Sequence, residues 1–89
     1  MSRRVRRSRD IAHREVEGQT VIVLPRTNEI LVLNETGACI WELSDGGRTE
    51  AEVVEGLRAR FDIDRETAAR DVAALYDQLI EAGVAETAE

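Results

Sequence analysis

Two short apolar runs open the ordered pattern of this chain, Val21-Ile22-Val23-Leu24 and Ile30-Leu31-Val32-Leu33. Between them lies Pro25-Arg26-Thr27-Asn28-Glu29, with a proline that cannot donate to a ladder and an asparagine that tolerates turn geometry. This pattern predicts a β-hairpin. A weaker strand over His13–Val16, with Glu17-Gly18-Gln19 as turn material, adds a third strand on the far side of Val21–Leu24. That order leaves Ile30–Leu33 at an open edge.

After Leu33 the period changes from two to about 3.6. Asn34 is a good N-cap, Leu33 can staple onto Ala38, and Gly37, Ile40 and Trp41 share one face. Ser44-Asp45-Gly46-Gly47 reads as the stop. Thr49-Glu50-Ala51-Glu52 is a capping box opening a second helix, on which Val53, Leu57 and Phe61 recur every four residues. Asp64 opens a third helix, about Arg65 to Ala82, with Gly83 placed for a left-handed C-cap. Its core stripe is Ala68, Val72, Leu75, Tyr76 and Leu79. The expectation is an α+β fold, a three-stranded antiparallel sheet followed by three helices.

Charge divides the chain unevenly. The formal balance is −6, and all 12 basic residues are arginine. Residues 1–14 hold six arginines and one aspartate, so residues 15–89 carry −11, which argues against a general nucleic-acid binder. Residues 1–13 are expected to be a flexible basic arm, residues 14–85 the domain and residues 86–89 a tail. With 89 residues, one modest core is the ceiling. No run of 18 apolar residues suits a membrane span, and no apolar block follows the basic start as a secretory signal requires. One cysteine fits a reducing compartment. The sequence therefore predicts a cytoplasmic protein.

No catalytic constellation stands out. His13 is the only histidine, Cys39 the only thiol, and 26 positions separate them. No metal-ligand cluster and no phosphate loop are present, so neither enzyme activity nor a cofactor is expected. Two other features exceed what a core needs. The strand Ile30-Leu31-Val32-Leu33 is large and apolar on both faces. On the third helix, Ala69, Ala73 and Ile80 extend the stripe beyond Tyr76, and two alanines one turn apart admit another backbone. Together they suggest a groove between an open strand and an alanine-faced helix, suited to an added peptide strand.

The string Leu33-Asn34-Glu35-Thr36-Gly37-Ala38-Cys39-Ile40-Trp41-Glu42-Leu43, followed by Asp45-Gly46-Gly47-Arg48-Thr49, resembles the signature of PqqD-like proteins. Val53-Val54 with Leu57, Asp71-Val72 with Leu75, Leu79 and Gly83-Val84 continue the likeness over roughly residues 14–85. The resemblance implies a winged-helix-like fold and a non-catalytic chaperone. Such a protein binds the leader of a ribosomal precursor peptide by strand addition and presents it to a modifying enzyme, often a radical S-adenosylmethionine enzyme. Carried onto this chain, the family's strand and helix match Glu29–Leu33 and Arg65–Ala82. Within these elements, the residues that their own spacing and chemistry assign to peptide binding are Ile30, Leu31, Val32 and Leu33 on the strand. On the helix they are Ala69, Ala73, Tyr76 and Ile80, with Arg65 and Arg70 placed to meet acidic leader residues. The alternative is a winged-helix DNA-binding regulator whose basic arm enters a minor groove. A homodimer through the apolar edge is compatible with the first reading.

Overall fold

Among the described residues, strand pairing gives two antiparallel sheets with three helices packed against them. The computed structural model describes residues 3–88. Four strands come first: β1 (Arg4–Arg7), β2 (His13–Val16), β3 (Gln19–Val23) and β4 (Ile30–Leu33). Then follow α1 (Glu35–Leu43), β5 (Asp45–Thr49), α2 (Glu50–Arg60), α3 (Arg65–Glu81) and β6 (Ala85–Ala88).

The first sheet, in the order β2-β3-β4, is the expected three-stranded unit. Glu17 and Gly18 both take positive φ, 51° and 81°, as a two-residue turn whose twist matches its strands requires. Beyond β3, the Leu24 amide donates to the Glu29 carbonyl at 2.8 Å, and Asn28 supplies the left-handed residue at φ 61°. In this register Ile22 faces Leu31 and Thr20 faces Leu33, and the helices bury that side. The other side holds Val16, Ile30 and Val32, which are 44%, 61% and 47% exposed, so no helix covers it.

The second sheet, β5-β1-β6, corrects three expectations. Arg4–Arg7 is not a flexible arm. It is the central strand, with Val5 buried to 1% exposure and registered against Thr87. Residues 1 and 2 of that arm lie outside the described residues. Ser44–Gly47 does end α1, but the chain continues at once as β5, with Gly46 at φ 86°. Most of the expected tail is β6. All three strands are polar or small on most positions and carry little apolar periodicity. They form because partners from distant parts of the chain meet there, and because Glu50, Asp77 and Glu86 pair with Arg3 and Arg6.

Helix ends follow local chemistry. Asn34 Oδ1 accepts from the Gly37 amide at 2.9 Å, and Thr49 and Glu52 form the full capping box. The Thr49 amide and hydroxyl hold the Glu52 carboxyl below its usual range. Asp64 takes the N-cap position of α3, and Thr67 holds its carboxyl below the usual carboxylate range. Gly83, at φ 80°, closes α3 as its amide and that of Val84 donate to Ile80 and Leu79. The core gathers Ile22, Leu33, Ile40, Trp41, Val53, Leu57, Val72, Tyr76 and Leu79.

Candidate functional site

The edge of β4 is open among the described residues, since its only strand partner is β3. Backbone hydrogen bonds alternate along an antiparallel pair, so one bond fixes the phase. The Leu24–Glu29 bond makes Ile22–Leu31 and Thr20–Leu33 the bonded pairs. Ile30 and Val32 therefore turn both their N–H and C=O groups away from β3. These four groups are a template for one more strand.

Beside the strand a groove of about 460 Å³ runs between β4, the start of α1 and one face of α3. Val32 and Leu33 line it from the strand, Asn34, Thr36, Gly37 and Ile40 from α1, and Gln19 from β3. From α3 come Asp71, Ala74, Leu75 and Gln78. Leu33, Ile40 and Leu75 give it an apolar floor, while Gln19, Asn34, Thr36 and Gln78 are polar. Asp71 is the one charged residue in the lining.

The helix side of the groove differs from the one expected. Residues 71, 74, 75 and 78 form an i, i+3, i+4, i+7 stripe on one flank of the core face. Ala69, Ala73, Tyr76 and Ile80 lie about 150–170° round the helix from it. Ala73 is half-buried on the flank where Arg3 bonds the Ala73 carbonyl at 3.4 Å and Asp77 at 2.9 Å. Tyr76 is fully buried, its ring beneath the Arg3 guanidinium. Ser44 Oγ donates to the Ile40 carbonyl, which leaves the Tyr76 hydroxyl as donor to Ser44 at 2.7 Å. Ile80 packs partly buried against the core. Arg65 pairs with Glu55 and Arg70 with Glu66, both on the surface. On the strand, Leu31 and Leu33 turn inward and Ile30 and Val32 stay exposed.

The expected edge position of β4 matches the strand order, while the cavity beside it is lined by the Ala74–Leu75 flank of α3 rather than the expected Ala69–Ala73 flank. Both flanks of the core stripe carry alanine, Ala69 and Ala73 on one side and Ala74 on the other. The signal for the cavity-lining flank was the 71-74-75-78 spacing, which the Ala69–Ala73 pair overshadowed.

Elsewhere the chemistry is sparse. The described residues hold no group of three or more histidine, cysteine, aspartate or glutamate side chains able to share a metal ion. Cys39 is buried, and burial pushes its thiol up, away from the nucleophilic thiolate. His13 packs its edge on Trp41 with ring centroids 5.6 Å apart. No helix among the described residues is long and apolar enough to cross a membrane. The groove offers backbone hydrogen bonds, an apolar floor and one carboxylate, which is equipment for holding an extended peptide.

Comparison with known proteins gives the same outline. The family model described as coenzyme PQQ synthesis protein D (PqqD) matches residues 19–85. No curated protein matches. The solved structure of lasso peptide synthetase B1 complexed with the leader peptide is 30% identical, with a TM-score of 0.78 over 92% of this chain and 96% of that one. TbiB1 in complex with the TbiA(beta) leader peptide shares the fold at 23% identity, with a TM-score of 0.78 over 91% of this chain and 94% of that one.

Proposed function

Because the chain belongs to the PqqD family, we propose that it binds the leader of a ribosomally made precursor peptide and presents it to a modifying enzyme, without catalysing a reaction itself. The observation that carries this reading is the outward-turned backbone of Ile30 and Val32, flanked by a groove. A leader laid along β4 completes the ladder and sends alternate side chains towards α3. Two similar structures hold leader peptides, which supports the reading. The uncovered face of Val16 and Ile30, which lies outside the groove, stays accessible beside the added strand and suits contact with the enzyme. The cytoplasm, where precursors are made, is the proposed site of action.

Magnitudes say where affinity comes from. Four backbone bonds at ~0.5–1.5 kcal/mol each give roughly 2–6 kcal/mol, and ordering a free peptide costs ~2–5 kcal/mol. The ladder alone nearly cancels. Apolar leader side chains on Leu33, Ile40 and Leu75 supply the surplus, at ~25 cal/mol per Å² buried. They also give specificity, which backbone bonds cannot.

The DNA-binding alternative gains no support. Arg65 and Arg70 on α3 are already engaged by carboxylates, and a helix approaching phosphates needs free positive charge.

Proline scanning of β4 tests the proposal. Val32→Pro removes an N–H that β3 does not use, so the fold is expected to keep its melting temperature within a few degrees. Binding of the fluorescent leader of a neighbouring precursor gene is expected to fall at least about tenfold, the share of one lost bond and a displaced strand. Leu31→Pro instead breaks the β3 ladder and should lower stability. Undiminished binding by a folded Val32→Pro protein removes the edge from the account.

A further inference from the structure

Inside the groove one group is left without a counterpart. Among the described residues, Asp71 is the only charged one in the lining, and no arginine or histidine joins it there. Other carboxylates of α3 are engaged on different faces of the helix: Glu66 pairs with Arg70, and Asp77 with Arg3. Asp71 has no ion pair among the described residues. A strand added to β4 would roof this carboxylate and remove part of its water. A carboxylate losing hydration without a partner is destabilised, and an acidic peptide side chain brought beside it is repelled. A cationic side chain removes both costs.

On the reading that β4 receives a leader, we infer that Asp71 selects leaders carrying a lysine or arginine on the side facing α3, and rejects leaders with an acidic residue there. This reverses the charge expected from Arg65 and Arg70, which lie in surface ion pairs. Attraction and rejection act through the same atom pair, so discrimination exceeds the affinity gained. The fit also follows the longer-range field, because residues 15–89 carry −11.

Parallel selections separate this inference from the reading beneath it. A random library of displayed 20-residue peptides is selected on the full-length protein, on Asp71→Arg and on Val32→Pro. The native protein should enrich lysine and arginine at one position of fixed spacing from an apolar residue, and Asp71→Arg should enrich aspartate and glutamate there. A synthetic peptide from the native pool should bind Asp71→Asn, the near-isosteric variant, about three- to fivefold more weakly at low salt, with the difference fading by 0.5 M salt. Pools with the same charges on the native and Asp71→Arg proteins, both lost on Val32→Pro, would overturn the Asp71 inference and leave the edge intact. Pools that also bind Val32→Pro, or no enrichment at all, would overturn both. Asp71→Asn keeps the question answerable if Asp71→Arg fails to fold.

Discussion

Tyr76 illustrates how a side chain can take the core position that its spacing gave it and so be unavailable to the groove it was expected to line. Its position at the edge of the α3 stripe is compatible with a groove wall, yet the ring is fully buried and its hydroxyl is tied to Ser44. Burial pushes the Tyr76 hydroxyl above its ordinary range, and the Ser44 bond opposes that rise. Tyr76→Phe loses one bond and leaves Ser44 still bonded to Ile40, at a cost of ~0.5–1.5 kcal/mol. Ser44→Ala strands a buried phenol and should cost more, ~1–3 kcal/mol. Urea denaturation is expected to rank Ser44→Ala as the less stable of the two. The reverse order would mean that the Tyr76 hydroxyl finds another partner.

At the scale of elements, α3 has two usable flanks with opposite tasks. The flank of Ala74 and Leu75 borders the groove, while the flank of Ala73 meets the Arg3 bridge to Glu50 and Asp77. Ala74→Glu places a second carboxylate and extra bulk in the groove, so leader binding should fall by about tenfold or more, roughly the 1.4 kcal/mol that one decade represents. Ala73→Glu is expected to leave the affinity within about twofold. Titration of both variants with one labelled leader checks the contrast, and equal losses would mean that the peptide spans both flanks.

On the scale of the molecule, the two sheets use the chain differently. The first is built from neighbours in sequence and carries the open edge. The second ties the amino-terminal arginines to the carboxy-terminal strand through β1. Val5 lies in the shared core, and Arg3 and Arg6 pair with Glu50, Asp77 and Glu86. Removing residues 1–7 deletes both ladders of the second sheet and at least the ~1.5–3 kcal/mol of burying one valine. Thermal unfolding of that truncation should shift well below the full chain or lose its cooperativity. An unchanged melt would return this segment to the role of an arm.

The hairpin, the edge position of Ile30–Leu33 and the starts of all three helices were legible in the sequence, because turn residues, caps and apolar periodicity act over a few neighbouring positions. Gly83 likewise announced the end of α3. Other features were decided only when distant segments met. Arg4–Arg7 has a single apolar residue and became a central strand because β5 and β6 flank it, Glu86 of β6 pairs with Arg6, and carboxylates from α2 and α3 hold Arg3 just before it. The groove face of α3 was decided the same way. A helical pattern gives the core stripe, but both flanks of that stripe are equivalent until the helix docks, and docking turned Asp71, Ala74, Leu75 and Gln78 towards β4. Local chemistry set the elements, and long-range packing set which of their faces remain open.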